Sequence, residues 1–138
     1  MENVLARIPQ RPPFLFVDKV IERVDTKINT EYKLTGKEDF FKGHFPGNPI
    51  MPGVLLQEAC FQSGALLMSY LSKEKGLGVV SKVESARFKK FAKPGDLLNI
   101  EVSLDEQLDN AFYMSAKIRV ENKVIMAVKF TGMLVGES

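Results

Sequence analysis

The chain has 138 residues, of which 45% are hydrophobic and 26% charged, so it is long enough for one domain with a real core and too short for two. Its formal net charge is only +2, which gives nucleic-acid binding no global support. The single cysteine, Cys60, excludes an internal disulfide.

The N-terminus and the apolar runs indicate a cytoplasmic protein. Residues 1–9 lack the basic stretch followed by an apolar core that marks a signal peptide. The charge-free run from Ala59 to Ser72 is too short to span a membrane. We therefore expect one cytoplasmic domain, residues 1–138, without a membrane partner.

The N-terminal third predicts a β-hairpin, because aromatic and β-branched residues are followed by an alternating apolar and polar run. Two phenylalanines in the next polar loop, Phe40 and Phe41, are expected to plug into the core. The expected elements are one or two helical turns at 4–8, a strand at 14–24, a turn at Asp25-Thr26, a strand at 27–34 and a loop at 35–43.

The central segment joins a proline-rich loop to a long apolar helix. Pro46, Pro49 and Pro52 each disfavour helix at the preceding residue, so the segment from His44 predicts a stiff extended loop that ends where Pro52 starts the helix. From Gly53 to Lys75-Gly76 no residue stops the helix, apart from a tolerated Gly64. Roughly 20 residues give a helix about 30 Å long.

Glu58 is the only charged side chain between Val54 and Ser72. A helix with so little charge should be buried nearly all round, and a lone carboxylate on it needs a partner, a shifted pKa or a chemical role. Gln62 lies one turn further on, spaced to hydrogen-bond Glu58 and fix its rotamer. The alternative is a carboxylate that faces solvent through a gap in the packing.

The C-terminal half predicts four antiparallel strands separated by turns. The strands are expected at 79–91, 97–104, 112–120 and 124–134, with turns at 76–78, 94–96, 109–110 and 121–123. One apolar helix is covered most economically by a curved antiparallel sheet, which gives an α+β fold. One sheet cannot enclose the whole helix, so the uncovered flank predicts a dimer.

His44 is the only histidine and the natural candidate for a base, since its unperturbed pKa lies near neutrality. A lone histidine is usually structural, but this one stands at the start of the stiff loop that leads into the helix. Gly53 opens that helix, where unpaired N–H groups point at any approaching oxygen and the missing side chain allows close contact. Pro52 and Val54, which flank Gly53, are expected to support this turn.

His44 and Glu58 are hard to bring together within one chain. Glu58 lies about 8 Å inside the helix, and the proline loop is expected to carry His44 still farther away. A site shared across a dimer interface, with one residue from each subunit, solves the distance problem.

Other chemistries lack support in the sequence. One histidine and one cysteine do not supply a metal site, and the G-x-S-x-G, G-x-G-x-x-G and P-loop motifs are absent. These absences give no support to a metal site or a nucleotide cofactor. Phe88 and Phe91 interleave with the basic cluster formed by Arg87, Lys89, Lys90 and Lys93, and we expect the two rings to face the core. The cluster is either a docking patch for an acidic partner or a solvated strand face.

The run of residues 44–59, from His44 to Ala59 and on to Gln62, closely resembles the signature of the hot-dog-fold β-hydroxyacyl-acyl-carrier-protein dehydratases of bacterial type II fatty-acid synthesis. Two further segments fit this resemblance, the 12–18 segment as the family's first strand and the 86–96 segment as its basic strand and Pro-Gly-Asp turn. Gln10 and Gln57 depart from the family pattern, which commonly has a second histidine and an apolar residue there.

The resemblance implies a helix inside a curved six-stranded sheet, dimers that commonly assemble into hexamers, and no cofactor. It implies that His44 is the catalytic histidine and that Glu58, from the other subunit, is the catalytic carboxylate; glutamate rather than aspartate at 58 favours the plain dehydratase over the dehydratase/isomerase group. The substrate arrives on the phosphopantetheine arm of an acidic carrier protein.

The expected reaction is dehydration of a (3R)-hydroxyacyl thioester to the trans-2-enoyl thioester. His44 would act as base, the Gly53 N–H as oxyanion donor and Glu58 as acid. Two alternatives stay open at this point, a hot-dog acyl thioesterase and a non-catalytic acyl-binding subunit.

Overall fold

The computed structural model describes residues 4–72 and 76–136. In this part of the chain one long helix packs against one antiparallel sheet of six strands, ordered β1-β2-β4-β5-β6-β3. The elements are β1 (Lys19–Val24), β2 (Lys27–Lys33), α1 (Gly53–Leu71), β3 (Leu77–Phe88), β4 (Leu97–Leu108), β5 (Ala111–Val120) and β6 (Lys123–Val135), with 3-10 turns at Val4–Ala6 and Asp39–Lys42. This is the predicted hot-dog architecture.

In β2, in the first half of β4 and in β5, buried side chains alternate with more accessible ones, and the buried set faces α1. In β2, Ile28 and Thr30 are fully buried, and the register pairs them with Val102 and Ile100 of β4, which are also fully buried. Buried cross-strand pairs of this kind hold the register, because a slip by one residue would turn every buried side chain outward.

Helix α1 is buried on one side rather than all round. Ala59, Cys60, Leu66 and Leu67 are fully buried against the sheet. The opposite flank is only partly covered, and Val54 near its start is 70% exposed. The prediction that the helix is buried nearly all round is therefore too broad. The prediction of an uncovered flank agrees with the structure, because one sheet cannot enclose the whole helix.

The first strand is shorter than predicted because its early residues bond to a side chain. The Phe16 N–H donates to Gln62 Oε1 at 2.8 Å, and the Gln62 side-chain amide donates to Phe14 O at 3.0 Å. Because these two backbone groups hydrogen-bond a side chain of α1 rather than a neighbouring strand, β1 begins only at Lys19.

Other boundaries also differ from the sequence expectation. Strand β3 starts at Leu77, inside the predicted turn, and ends at Phe88, because the N–H groups of Lys89 and Lys90 both donate to Ile125 O. Strand β4 continues past the predicted end to Leu108. The predicted helix stop at Lys75 lies outside the described residues, and Leu71 is the last helical residue seen. Phe41 is buried and Phe40 packs beside it, as predicted.

Candidate active site

The loop before α1 folds back on itself rather than running extended. Asn48 N donates to Phe45 O at 2.9 Å, Ile50 N donates to His44 O at 2.9 Å, and Gly47 at the bend has a φ of 78°. A positive φ of this size suits glycine, which explains how a proline-rich segment turns so tightly. The fold-back holds His44 beside Ile50, close to the start of the helix.

The His44 ring is held in one orientation. Its Nδ1 lies 3.1 Å from Ile50 O, and its ring stacks on Phe45 with 4.0 Å between the centroids. A carbonyl oxygen can only accept, so Nδ1 carries the proton and, in the neutral ring, Nε2 is left with a free lone pair. That tautomer presents Nε2 as a base.

The start of α1 offers unpaired amide groups. Leu55 and Leu56 donate to Pro52 O at 2.9 and 3.1 Å, so the N–H groups of Gly53 and Val54 precede the first helical hydrogen bond. The ring of Phe88 lies over Gly53, and a Cβ added there would be 3.1 Å from its Cε1. Absence of a side chain at residue 53 thus lets Phe88 pack on the helix end.

Glu58 is held by a side chain that also ties down the N-terminal segment. The Gln62 amide donates to Glu58 Oε2 at 3.0 Å, and Gln62 itself is fully buried. Burial raises the pKa of Glu58, and the hydrogen bond from Gln62 lowers it by a smaller amount. A carboxyl in this setting holds its proton more readily than an exposed one, as a general acid requires.

Glu58 lines an apolar groove rather than facing open solvent. The groove has a volume of about 410 Å³. Gln10 is the other polar residue that lines it, and its Oε1 is a buried acceptor with no partner among the described residues. The residues that line the groove are Gln10, Phe14, Glu58, Phe61, Ala65, Met68, Gly78, Val79, Val80, Phe130 and Gly132.

The structure therefore joins some predicted site residues and not others. Glu58 and Gln62 meet as expected, and Pro52, Gly53 and Val54 form the helix start beside the His44 loop. His44 is not among the residues that line the Glu58 groove of the same chain.

Sequence reasoning missed the remaining groove residues. Phe61, Ala65 and Met68 follow Glu58 at intervals of three or four residues, which places them on one face of the helix. That spacing was available in the sequence, but only the sheet shows that the same face borders a groove.

The basic cluster spans the end of β3, where Arg87 lies, and the segment that follows it, which carries Lys89, Lys90 and Lys93. Phe88, Lys89, Lys90, Phe91 and Lys93 border a shallow cavity, and Phe88 and Phe91 are 51% and 71% exposed. The expectation that these two rings face the core is wrong: Phe88 is the last residue of the edge strand β3, and Phe91 lies beyond the end of the sheet. Met51 N donates to Ala92 O at 2.8 Å, so this segment is tied to the His44 loop.

Two further features concern metals and membranes. No three or more histidine, cysteine or acidic side chains of the described residues lie together as a candidate metal site. Within residues 4–72 and 76–136, no helix combines the length and apolar character needed to cross a membrane.

Comparison with known proteins places this chain in a family. A sequence model described as the FabA-like domain matches residues 8–129, which is most of the chain. The chain belongs to the FabA-like family. Among its curated relatives, the 3-hydroxyacyl-[acyl-carrier-protein] dehydratase FabZ of Lactobacillus helveticus is 38% identical over 94% of this chain and 88% of its own length. The predicted family and enzyme class, a hydro-lyase, are thereby confirmed.

Solved structures support the fold of this FabA-like chain. The dehydratase heterocomplex ApeI:P from Xenorhabdus doucetiae superimposes with a TM-score of 0.87 at 16% identity, covering 99% of this chain and 93% of that one. A hypothetical thioesterase from Streptococcus pneumoniae, solved with coenzyme A, superimposes with a TM-score of 0.69 at 20% identity, covering 86% and 89% of the two chains. Dehydratases and thioesterases thus share this architecture, and the fold alone does not separate them.

Proposed function

We propose that this FabA-like chain removes water from a (3R)-hydroxyacyl thioester carried on acyl carrier protein, giving the trans-2-enoyl thioester in fatty-acid synthesis. The observation that carries the proposal is Glu58, a half-buried carboxyl with a raised pKa, fixed by Gln62 on the wall of an apolar groove. An acid of this kind beside an apolar chain site suits protonation of a departing hydroxyl.

Each step has a residue suited to it. Nε2 of His44 takes the proton from the carbon next to the thioester carbonyl, and the electron pair forms the new double bond as the β-hydroxyl leaves. The Gly53 N–H stabilises the negative charge that develops on the carbonyl oxygen. Glu58 gives its proton to the hydroxyl, which departs as water, and a proton returned from His44 resets the pair.

We place His44 and Glu58 of one site on two different subunits of a homodimer. Strand β3 is an edge of the sheet, and Leu77, Val79, Val80 and Val83 on it are each between 37% and 44% exposed. Such an edge is normally covered, and a second copy paired along β3 would cover it. Since Val79 and Val80 also line the Glu58 groove, the same pairing would bring the partner's surface to Glu58. Light scattering would distinguish this dimer from a trimer of dimers.

The basic cluster is the proposed docking site for the acidic carrier. Arg87, Lys89, Lys90 and Lys93 are exposed, and the Met51–Ala92 hydrogen bond ties their segment to the His44 loop. A carrier bound there would deliver its phosphopantetheine arm near the base. Cys60, which is buried and has no second cysteine in the chain, suits the reducing cytoplasm where we expect the enzyme to act.

Two experiments test the proposal. The first follows ultraviolet absorbance of the conjugated enoyl thioester formed from a 3-hydroxyacyl substrate; free thiol released instead would indicate a thioesterase, and no turnover would leave an acyl-binding subunit. The second mixes His44→Ala and Glu58→Gln subunits, each inactive alone, after joint denaturation and refolding. Random pairing with a shared site restores about a quarter of the sites, because half the dimers are mixed and each has one intact site. No recovery would place both residues in one chain.

A further inference from the structure

The groove beside Glu58 runs along the helix toward its C-terminal end. Glu58, Phe61, Ala65 and Met68 lie on one face of α1 and line it, a span of about 15 Å at 1.5 Å per residue. Residues 78–80 of β3, together with Phe130 and Gly132 of β6, form the opposite wall. The shape is that of a slot with the carboxyl near one end.

The chemistry of the wall changes along this slot. Apart from Gln10 and Glu58, every residue that lines it is apolar or glycine. A ligand with a polar reactive head and an apolar tail matches this lining, with the head at Glu58 and the tail directed toward Met68.

Met68 is the groove-lining residue of α1 that lies farthest from Glu58. Its side chain is 3% exposed. A Cβ added at Gly78 would be 2.8 Å from Met68 Cε. One added at Gly132 would be 3.0 Å from both Cε and Sδ of Met68 and 2.8 Å from Met114 Cε. The two glycines lie on neighbouring strands, where β3 pairs with β6. The Met68 thioether therefore fills the space that a side chain at residue 78 would take, and shares with Met114 the space that a side chain at residue 132 would take.

We propose that Met68, seated against Gly78 and Gly132, sets the longest acyl chain that the enzyme accepts. The proposal rests on the proposed function, which places the acyl thioester at Glu58, and adds the residue that determines chain length. Methionine is unbranched and flexible, so the limit is a gradual loss of affinity over successive carbons rather than a sharp cut-off.

The test measures binding without catalysis. S-alkyl pantetheine thioethers of increasing length lack the carbonyl and hydroxyl of a substrate, so they bind but do not react. Calorimetry with the wild type should show affinity rising about fourfold for each added methylene up to a limiting length and then falling.

Two variants should move that limit in opposite directions. Met68→Ala removes three heavy atoms and should lengthen the limit by about two or three methylenes. Gly78→Ala adds a methyl group to the same wall and should shorten it by about one. The methyl group added in Gly78→Ala contacts the flexible end of Met68, which can move aside, so we expect this variant to fold. It therefore still tests the proposal if Met68→Ala does not fold. Met126→Ala is the matched control, since Met126 is a fully buried methionine that contacts Cys60 and does not line the groove.

The outcomes separate this proposal from the dehydration itself. A limit that moves with Met68 and Gly78 but not with Met126 supports the chain-length role, even if no dehydration is detected. An unmoved limit in folded Met68→Ala and Gly78→Ala overturns it, even if the wild type dehydrates its substrate.

Discussion

Gln62 donates its side-chain amide to Glu58 Oε2 at 3.0 Å, one helical turn away. The same fully buried side chain binds Phe14 O and Phe16 N, so the orientation of the candidate acid depends on the docking of the N-terminal segment. The Gln62 side-chain amide thus couples the docking of the N-terminal segment to the orientation of Glu58.

Replacing Gln62 should change both stability and pH dependence. Gln62→Met keeps the volume but leaves two backbone groups and the carboxyl without their partner, which should cost about 2–4 kcal/mol of unfolding free energy. Because Gln62 lowers the pKa of Glu58, its loss raises that pKa further, and the pH above which kcat/KM falls should move upward.

The matched control is Ser63→Ala. Ser63 is also fully buried and hydrogen-bonds Thr30 and Ala59 O, away from Glu58. It should lower stability by about 1–2 kcal/mol with no shift of the pH profile. Equal shifts in both variants would show that the pH effect comes from loosened packing.

Glu58→Gln should reduce turnover by at least about 100-fold and yet stabilise the fold at neutral pH. Burial raises the pKa of Glu58, so the folded state binds its proton more tightly than the unfolded chain. The resulting contribution of Glu58 to the unfolding free energy is fully present below the ordinary pKa of 4.5 and is lost as the pH rises through the raised pKa of the folded state. Thermal unfolding should show a higher Tm for the variant at pH 7 and a gap that closes toward pH 4. Glu106→Gln, an exposed site on β4, controls for the lost charge.

His44→Ala should remove activity without unfolding the protein. The ring is only partly buried and makes one hydrogen bond, so Tm should change little, whereas turnover should fall by about 10²- to 10⁴-fold. Lys42→Ala, an exposed ion-paired residue just upstream, is the control and should retain turnover. If His44→Ala retained wild-type turnover, His44 would not be the base of the proposed mechanism.

Gly53→Ala should affect catalysis more than stability. Alanine favours the helix, but its Cβ would meet the Phe88 ring at 3.1 Å and displace it or the helix end. Initial rates should fall by about 10- to 100-fold as the Gly53 amide shifts. Gly43→Ala has no atom within 4 Å of the added Cβ and should behave as wild type.

Lys90→Glu should weaken use of the carrier-bound substrate alone. We expect kcat/KM for the carrier thioester to fall about tenfold at low salt, and the difference from wild type to shrink as salt screens the charges. Activity on a small pantetheine thioester should be unchanged. Lys37→Glu, exposed in the loop before the 3-10 turn, makes the same charge change elsewhere and should leave carrier use intact.

Much of the fold could be predicted from periodicity. The alternation in residues 27–34 and the continuous apolar run after Gly53 located β2 and α1 to within a residue at their starts. The 14–18 stretch misled the prediction, because its β-forming composition says nothing about a glutamine far along the chain that takes its backbone hydrogen bonds.

The candidate site was predicted less completely. The isolation of Glu58 on an apolar helix and its spacing to Gln62 pointed to the candidate acid and to the side chain that hydrogen-bonds it. The fold-back at Gly47 and the groove between α1 and the β3–β6 pair depend on contacts between distant segments, which local patterns do not encode.

The open edge of β3, with its four half-exposed aliphatic side chains, has a kinetic consequence. If a catalytic centre is completed only when two folded chains collide along that edge, refolding from denaturant splits into two stages with different reaction orders. Secondary structure should return at a rate independent of protein concentration, whereas turnover should return at a rate that slows on dilution.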